Sequence, residues 1–573
     1  MSDTPKDTRA KNEHIKEQSR QLRGTIAAGL ADVSTGAISE DDTQLVKFHG
    51  TYMQDDRDLR PERTKKKLEK AFSFMIRVRV PGGLATAEQW VAMDDIASTY
   101  ANGTLRLTTR QAFQFHGVIK SNLKTTMQDI NATLLDTLAA CGDVNRNVMS
   151  TANPFLSKAH RAAFDLANDL SDHLTPRTAA YHEIWLDGEK VAGGEAAPNE
   201  EPIYGVHYLP RKFKTVVAVP PDNDVDLYAH DLGFVAIVSQ GKLTGWNVTV
   251  GGGMGMTHGD TETFPRTADV LGFCLPGQAV DVAEKIVTVQ RDWGNRENRK
   301  RARLKYTIED YGLDAFRAEV EARLGYKLGQ IRDMAFDSTG DPIGWRKGSD
   351  RRWHLTLYIE NGRIKDQPGV ALRSALCEIA ETQSVSFILS SNQNLIIAQA
   401  TAKTKQAIDN ILAKHGVPQG DVSGLRRNAM ACVALPTCAL ALAESERYLP
   451  ELVSRLEDSL DRVGLSDDDI VIRMTGCPNG CARPYLAEIG LVGRGPGTYN
   501  LYLGAAFDGS RLNKLFANDV NGDAIVAQLD PMFERYAKER DEGERFGDFV
   551  VRAGIVAPTT AGNTFHNDVG HAK

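Results

Sequence analysis

Cys432-Val-Ala-Leu-Pro-Thr-Cys438 and Thr475-Gly-Cys477-Pro-Asn-Gly-Cys481 are the two stretches around which the rest of this chain is organised. They hold four of its seven cysteines. Two close pairs of thiols from separate segments can build a cage of four thiolates, and thiolate is a soft ligand that selects zinc, copper(I) or iron–sulfur. The flanking prolines and glycines break regular structure. We therefore expect the thiols on turns, where backbone N–H groups are free to point at cluster sulfides.

Three interpretations of these four thiols are open from the sequence. Two disulfides would require an oxidising compartment. Structural zinc fits the Cys-x3-Cys pair, but the Cys-x5-Cys pair is wider than the usual zinc spacing. Spacing therefore favours an iron–sulfur cluster over zinc but does not decide between them.

Composition places the chain among ordinary globular proteins. It has 573 residues, of which 42% are hydrophobic and 25% charged, with a net charge of −7 that disfavours a nucleic-acid binder. No apolar run is long enough for a membrane helix, and the N-terminus lacks the apolar segment of a secretory signal. We predict a cytoplasmic protein that binds neither nucleic acid nor membrane, in which disulfides are disfavoured.

The second half of the chain repeats the order of the first. Four correspondences recur in sequence: Thr108, Thr109 and Gln111 with Ser390, Ser391 and Gln393; Arg146-Asn147 with Arg427-Asn428; Asp231-Leu-Gly-Phe-Val235 with Glu488-Ile-Gly-Leu-Val492; and Trp246-Asn-Val-Thr-Val-Gly251 with Tyr499-Asn-Leu-Tyr-Leu-Gly504. The period is far too long for a solenoid, so we predict two duplicated halves that face a shared site. Only the second half holds the cysteine pairs.

The strand and helix patterns predict an α+β fold. Residues 72–138 and 344–419 form a central pair of strand–helix–strand, ferredoxin-like units. Residues 139–343 and 420–573 form two larger, related α/β domains that clasp the site. Residues 1–71 form an N-terminal arm rather than core, either a disordered tail or a docking segment for a partner.

Basic side chains recur at alternating positions, as in the pairs Arg77 and Arg79, Arg106 and Arg110, and Lys212 and Lys214. Alternate residues of a strand share one face. A solvated surface is the ordinary explanation of such a pair. So many pairs in a net-acidic protein indicate instead a buried polyanion, for which a macrocycle with several carboxylates is suitable, and a lysine pair can also bind an anion and donate protons.

The sequence contains neither a P-loop nor a G-x-G-x-x-G motif. Gly251-Gly-Gly-Met-Gly255 could bring backbone N–H groups close to an anion, but it does not satisfy the dinucleotide fingerprint. If the protein is a redox enzyme, its electrons must therefore come from another protein.

The cysteine pairs, the stretch Arg106-Leu-Thr-Thr-Arg-Gln-Ala-Phe-Gln-Phe-His-Gly117 and the duplicated layout together resemble the sulfite/nitrite reductase family. Within it, Asn145-Arg-Asn147, Leu209-Pro-Arg-Lys-Phe-Lys214 and Gln290-Arg-Asp-Trp-Gly-Asn-Arg296 are most similar to the hemoprotein (beta) subunits of NADPH-type sulfite reductases. The resemblance covers nearly the whole chain.

The resemblance implies a siroheme coupled to a 4Fe-4S cluster, with Cys481 bridging the cluster to the siroheme iron. The implied cluster ligands are Cys432, Cys438, Cys477 and Cys481. The implied substrate residues are Arg77, Arg146, Lys212 and Lys214. The implied cofactor-binding residues are Arg106, Arg110, Gln114, His116 and Asn479, with Arg299, Arg303 and Gln393 as weaker candidates.

The implied activity is the six-electron reduction of sulfite to sulfide, with electrons from a flavoprotein alpha subunit that carries FAD and FMN. The first alternative is a siroheme nitrite reductase that uses ferredoxin. The second is a non-enzymatic, zinc- or cluster-bearing RNA-binding or scaffold protein.

Overall fold

A computed structural model describes residues 7–177, 183–186, 189–193, 201–419 and 422–567. The predicted boundary at residue 420 lies outside this part of the chain, and the predicted domain limits as a whole stay a prediction. Within the described residues, no helix is both long enough and apolar enough to cross a membrane.

The helices of the described chain are α1 (Lys11–Glu17), α2 (Ile26–Ala31), α3 (Glu40–Leu45), α4 (Arg60–Lys65), α5 (Ala87–Tyr100), α6 (Leu123–Ala132), α7 (Lys158–Leu174), α8 (Ala279–Trp293), α9 (Leu304–Tyr311), α10 (Leu313–Leu324), α11 (Leu372–Thr382), α12 (Ala402–Lys414), α13 (Gly424–Arg427), α14 (Leu449–Arg462), α15 (Gly522–Glu539) and α16 (Phe546–Arg552). Helix α5 begins directly after Thr86, because Thr86 and Gln89 cap each other's backbone N–H groups: Gln89 N–H donates to Thr86 Oγ1 at 3.1 Å and Thr86 N–H donates to Gln89 Oε1 at 3.0 Å.

The strands are β1 (Thr51–Asp55), β2 (Phe72–Val78), β3 (Leu84–Thr86), β4 (Leu105–Leu107), β5 (Phe113–Val118), β6 (Met149–Ser150), β7 (Glu183–Leu186), β8 (Glu189–Gly193), β9 (Thr215–Ala218), β10 (Leu232–Ser239), β11 (Lys242–Val250), β12 (Asp269–Cys274), β13 (Gly344–Lys347), β14 (Trp353–Leu357), β15 (Arg363–Ile364), β16 (Asp366–Gln367), β17 (Val370–Ala371), β18 (Ser386–Leu389), β19 (Leu395–Ala400), β20 (Ala429–Ala431), β21 (Ile472–Thr475), β22 (Ile489–Gly495), β23 (Thr498–Leu503) and β24 (Lys514–Val520).

Two five-stranded sheets have the same topology, as the duplication predicts. One has the order β6-β9-β10-β11-β12 and the other the order β20-β21-β22-β23-β24. In each sheet the first three strands pair in parallel, and the fourth and fifth strands each pair antiparallel with the strand before them. Each sheet has its own apolar core, and the helices α7 and α8 or α14 and α15 contribute to it. The two halves of the chain are therefore structural copies of each other.

Two smaller antiparallel sheets exchange one strand between the copies. The order of one is β1-β2-β5-β4-β15, and the order of the other is β13-β14-β19-β18-β3. Strand β15 comes from the second half of the chain but pairs with β4, and β3 comes from the first half but pairs with β18. Both sheets share one core with α5 and α11. The exchange ties the two units to each other through backbone hydrogen bonds.

Glycine is required where the exchanged strands cross. A Cβ atom added at Gly362 would lie 2.2 Å from the carbonyl oxygen of Leu107, and one at Gly83 would lie 2.4 Å from that of Leu389. Both glycines also have positive φ, +72° and +77°. The contacts are reciprocal, since each glycine touches the opposite copy. A side chain at either position would force the crossing strands apart.

We expect Gly362→Ala to lower the free energy of unfolding by about 3 kcal/mol, because backbone strain at positive φ and steric overlap with Leu107 add. The matched control is Gly369→Ala, at φ +81° with no atom within 4 Å of the added Cβ. In the control, only backbone strain should lower the free energy of unfolding, by about 1 kcal/mol. Urea unfolding of both variants measures the difference. Equal unfolding midpoints would contradict the close approach of Gly362 to the carbonyl oxygen of Leu107.

A buried ion pair joins equivalent positions of the two copies. Asp226 and Arg483 are related by the same sequence offset as Asp231 and Glu488, and both have left-handed backbone, at φ 49° and 54°. The Arg483 Nε atom donates to Asp226, and Arg473 Nη1 lies 2.7 Å from the same carboxylate. Arg483 also donates to the carbonyl oxygens of Thr109 at 2.9 Å and Ser391 at 3.0 Å, which are themselves equivalent.

Asp226→Asn is expected to lower the free energy of unfolding by about 3–5 kcal/mol, because it leaves two buried guanidinium groups without their counter-charge. Burial raises the pKa of Asp226, but Arg473 and Arg483 outweigh it and hold the pKa below its ordinary value. This contribution is therefore present above the ordinary carboxyl pKa and is lost as the pH falls through the lower folded value. Thermal melts of this variant and of Asp523→Asn, whose side chain is exposed, test it; equal melting temperatures would refute it.

The N-terminal segment, which we expected to be an arm, is packed into the protein from α1 onward. Leu22, Leu45 and Phe48 are buried in the core of the first large domain, and β1 pairs with β2. Lys16 is also buried, and its Nζ atom donates to Glu13 at 2.6 Å and to the carbonyl oxygen of Leu209 at 2.8 Å. The expectation of an arm outside the core is wrong for these residues because their apolar side chains complete the core.

Two local expectations also differ from the structure. The stretch 105–117 is a hairpin of β4 and β5 rather than one strand, because Gln111 adopts φ 49° and closes the turn. Lys212 and Lys214 precede β9 instead of lying on it. They still flank the buried Phe213, so the predicted alternation of side chains holds without a regular strand.

Candidate cofactor and anion-binding site

A row of polar side chains crosses the first small sheet. Arg77, Gln114, Arg106 and Arg363 are direct cross-strand partners on β2, β5, β4 and β15. Their strand neighbours belong to the apolar core: Ile76, Val78, Leu105, Leu107, Phe113 and Phe115. Because successive side chains of a strand alternate in direction, the sheet has one apolar face and one cationic face.

Hydrogen bonds fix the orientation of this row. Arg77 donates from Nε and Nη2 to Gln114 Oε1, at 3.1 and 2.7 Å, and from Nη1 to Cys141 Sγ at 3.1 Å. Gln114 Nε2 lies 2.7 Å from His116 Nε2. Arg106 donates to the carbonyl oxygen of Ala431 at 2.9 Å. Arg79, by contrast, pairs with Asp136 at 2.6 Å and has a structural role.

Several buried polar atoms on this side have no hydrogen-bond partner among the described residues: Arg110 Nε, His116 Nδ1 and Gln393 Oε1. Arg110 otherwise donates to the carbonyl oxygen of Asn147, and Gln393 Nε2 donates to that of Asn361 at 3.1 Å. An unpaired buried polar group is costly. Arg110 Nε and His116 Nδ1 fit the rim of a bound group that carries carboxylates, because both are donors when His116 Nε2 accepts from Gln114 Nε2. Gln393 Oε1 can only accept, so it fits a donor instead.

The lysine pair faces further cations. Burial, followed by Arg211, Arg303 and Arg146, lowers the pKa of Lys212 to about 7. Burial, followed by Arg110, Lys212 and Arg303, lowers the pKa of Lys214 well below its ordinary value. Neither ammonium group has a hydrogen bond or ion pair to any residue the structure describes. Such a concentration of positive charge is unfavourable until an anion enters it.

Arg146 and Arg110 extend the same group. Burial, followed by Arg146 and Arg483, lowers the pKa of Arg110 to about 9. Burial alone would lower the pKa of Arg146, but Tyr52, Cys141 and Asp143 together outweigh burial and raise the pKa above its ordinary value. Arg146 itself is held by two hydrogen bonds to the carbonyl oxygen of Gly142, at 3.2 and 3.1 Å. The structure thus brings Arg77, Arg110, Arg146, Lys212 and Lys214 into one neighbourhood.

The two weaker cofactor candidates, Arg299 and Arg303, form ion pairs with buried aspartates beside the lysine segment. Arg303 forms a bidentate ion pair with Asp231, at 3.1 and 2.6 Å, and Asp231 also accepts the backbone N–H of Lys214 at 3.0 Å. Arg299 pairs with Asp143 at 2.8 Å and donates to the carbonyl oxygen of Pro210 at 3.1 Å. Both arginines therefore hold the lysine segment in place, and a direct contact with a cofactor stays a prediction.

The four cysteines of the two motifs are neighbours at the ends of β20 and β21. Burial, followed by Cys481 and Cys477, raises the pKa of Cys432 to about 12, and burial, followed by Cys481, raises that of Cys477 to about 12. Burial, followed by Cys432 and Cys481, raises the pKa of Cys438 to about 11. The thiols therefore affect one another, and losing their protons requires positive charge, which iron would supply.

Backbone and side-chain donors point at the sulfurs, as the flanking glycines predict. The N–H of Gly476 lies 3.4 Å from Cys432 Sγ, and Asn479 Nδ2 lies 3.5 Å from Cys477 Sγ. In the described part of the chain, no three His, Cys, Asp or Glu side chains converge closely enough to hold one metal ion. The four thiols are thus grouped without converging on a single point.

Cys481 differs from the other three because its side chain is exposed. Burial and nearby cations lower the pKa of Lys212 and Lys214, and Cys481 is a neighbour that opposes this lowering. Its carbonyl oxygen accepts a hydrogen bond from Thr109 Oγ1 at 3.1 Å. Cys481 therefore lies where the thiol group meets the cationic group.

Sequence reasoning missed the residues that hold this junction together. Lys305 is buried and donates to the carbonyl oxygens of Gly253 at 3.1 Å and Gly255 at 2.6 Å, within the glycine-rich loop. A Cβ at Gly255 would lie 3.2 Å from the carbonyl oxygen of Asn479. The glycines thus serve close packing against the second cysteine motif. The ion pair between Asp226 and Arg483 could have been predicted from the repeat, because the same sequence offset relates these two residues as relates Asp231 and Glu488.

Comparison with known proteins agrees with this geometry. Residues 166–328 match the family model described as "Nitrite and sulphite reductase 4Fe-4S domain", and residues 66–133 match "Nitrite/Sulfite reductase ferredoxin-like half domain". A "Sulfite reductase [NADPH] hemoprotein beta-component" of Methylobacterium nodulans is 64% identical over 564 residues, which cover 98% of this chain and 93% of that protein. The chain belongs to the nitrite and sulfite reductase family. The predicted family is therefore confirmed.

A protein of the same name from Staphylococcus haemolyticus is 57% identical over 556 residues, covering 97% of each chain. The solved structure of the Mycobacterium tuberculosis NirA protein superposes with a TM-score of 0.76 at 23% identity, covering 96% of this chain and 97% of the other. This likeness concerns the fold, and with the family models it confirms the predicted duplicated α+β class of nitrite and sulfite reductases. The predicted oxidoreductase class and cofactors also agree with these matches.

Proposed function

We propose that this protein catalyses the six-electron reduction of sulfite to sulfide as the hemoprotein subunit of a cytoplasmic sulfite reductase. The observation that carries the proposal is the position of Cys481, an exposed thiol at the junction of a four-thiol group and a cationic group. The names of the most similar curated relatives supply the substrate and the NADPH-linked electron supply. The partner is a flavoprotein alpha subunit that carries FAD and FMN.

The residues fit a siroheme coupled to a 4Fe-4S cluster. Four neighbouring thiols suit the cluster, and Cys481 would share its sulfur with the siroheme iron. The unpaired donors Arg110 Nε and His116 Nδ1 suit carboxylates of the macrocycle, whereas Gln393 Oε1 can only accept. When bound, these groups supply the redox chemistry, and the chain supplies binding, orientation and protons.

The cationic residues account for the remaining requirements of the reaction. Sulfite is an anion, so Arg77 and Arg146 would hold its oxygens with fixed, permanently charged guanidinium groups. Each S–O cleavage needs protons on the leaving oxygen, and the three oxygens leave as water. Lys212, with a pKa of about 7, can donate a proton near neutral pH, and Lys214 beside it can act in the same way.

The decisive test is the cofactor content and turnover of one purified sample. We expect iron, acid-labile sulfide and tetrapyrrole together, and faster turnover of sulfite than of nitrite with reduced methyl viologen. Faster nitrite turnover with a preference for ferredoxin would favour the nitrite reductase alternative. A colourless protein with stoichiometric zinc and no turnover would leave only the scaffold alternative.

A further inference from the structure

A basic surface lies directly beside the first cysteine motif, although the chain as a whole is acidic. Residues 57–70 hold seven basic and three acidic side chains, a balance of +4 in a chain of net charge −7. All but a few of these residues are exposed, including Leu59 at 43% and Leu68 at 52%. We call residues 57–70 the basic strip.

The basic strip is fastened to the loop that holds Cys438. The N–H of Arg57 donates to the carbonyl oxygen of Pro436 at 3.2 Å, and Arg57 Nη1 donates to that of Ala441 at 2.6 Å. On the far side of the loop, Arg447 pairs with Asp58 at 2.7 Å. The strip and the cysteine loop are therefore joined by two hydrogen bonds and an ion pair.

Exposed leucines cover the outer side of Cys438. The side chain of Leu440 is 65% exposed and that of Leu442 is 38% exposed. The N–H of Ala441, between the two leucines, donates to the carbonyl oxygen of Cys438 at 3.1 Å. An exposed leucine thus lies two residues from an expected cluster ligand, in the loop that is bonded to the basic strip.

A cleft of about 400 Å³ lies between the basic strip and the first cysteine motif. Its lining includes Arg63 and Lys70 of the basic strip together with Thr437 and His116. Thr437 Oγ1 and His116 Nδ1 are buried and have no partner among the described residues. The basic strip and the loop of Cys438 therefore share one polar cleft.

We propose that the basic strip, together with Leu440 and Leu442, is the surface on which an acidic protein domain docks to deliver single electrons to the cluster at Cys438. The domain would carry a reduced flavin at its surface, with acidic groups around an apolar flavin edge. This inference rests on the proposed function, which requires electrons from another protein. Positive charge steers an acidic partner, and an apolar centre with a charged rim is the usual anatomy of a transient interface.

The orientation of the surface supports an electron donor over other occupants. Leu440 is exposed and lies in the same loop as Cys438, two residues along the chain, so a flavin edge seated on Leu440 would be separated from the cluster by that loop. A purely structural partner would gain nothing from this position. An anionic membrane would also be attracted by the strip, and the experiment includes it as an outcome that overturns the proposal.

The test compares two electron supplies in the cofactor-loaded protein. The variants are Leu440→Asp and the double change Lys65→Glu with Lys67→Glu. The controls are Leu275→Asp, at a leucine that is 55% exposed, and Lys242→Glu, at an exposed lysine of another sheet. Sulfite reduction is measured with NADPH and the partner flavoprotein, and again with reduced methyl viologen, which needs no docking surface.

We expect both variants to lower flavoprotein-dependent kcat/KM by at least about fivefold while viologen-driven turnover stays within about twofold of the unaltered protein. The controls should behave as the unaltered protein in both assays. The proposal fails if flavoprotein-dependent turnover is unchanged, or if both activities fall together. It also fails if vesicles rich in anionic lipid bind the unaltered protein and not the lysine variant. If the unaltered protein does not reduce sulfite with viologen, the proposed function itself fails.

Discussion

Replacement of Cys481 by serine is expected to lower sulfite turnover by about 10³-fold or more, equivalent to about 4 kcal/mol of activation free energy. Cys481 is the exposed thiol of the four and the one that influences the pKa of Lys212 and Lys214. A serine hydroxyl is a hard ligand that stays protonated, so it cannot replace a thiolate shared between two iron centres. The loss should appear with reduced methyl viologen as well as with the flavoprotein.

The matched control is Cys377→Ser, at a half-buried cysteine of α11 outside the two motifs. It should keep full turnover and full iron content. Iron, acid-labile sulfide and the visible spectrum of both variants provide readouts that do not depend on turnover. Retained turnover in Cys481→Ser would remove the observation on which the proposed function depends.

Substitution at Lys212 should separate charge from proton donation. Lys212→Met removes both, and we expect kcat/KM for sulfite to fall by about 10²–10³-fold, the effect of losing one preorganised electrostatic group. Lys212→Arg keeps the positive charge but cannot give up a proton near neutral pH. The Lys212→Arg variant should therefore keep the KM for sulfite within a few-fold of the unaltered protein, while its kcat falls.

The pH dependence follows from the lowered pKa of Lys212, about 7. The protonated form is the donor, so kcat/KM of the unaltered protein should fall as the pH rises through about 7. Sulfite also titrates near neutral pH, but the ratio of the profiles of the unaltered protein and Lys212→Arg cancels that contribution. A ratio that does not change with pH would show that Lys212 is not the proton donor. Lys300→Met, at an exposed lysine, is the control for loss of charge elsewhere.

Much of the fold could be predicted because the signals are local or repeated. Alternation placed Arg77 and Arg106 on one face of their strands, and the repeat predicted the two matching sheets. The turn at Gln111 was missed because nothing in the alternating pattern marks a residue with positive φ. The packing of Leu22 and Phe48 was missed because the core that they complete is built from residues far away in sequence.

The sequence by itself determined the soft four-thiol chemistry, the duplication and the family, since these depend on residue type, spacing and order. Only the tertiary structure decided which segments and side chains meet: the exchange of β3 and β15, the pair Asp226 with Arg483, and the electrostatic influence of Cys481 on Lys212. The physical reason is that periodicity fixes the face on which a side chain lies, whereas its partner across that face comes from distant segments brought together by burial of the apolar core.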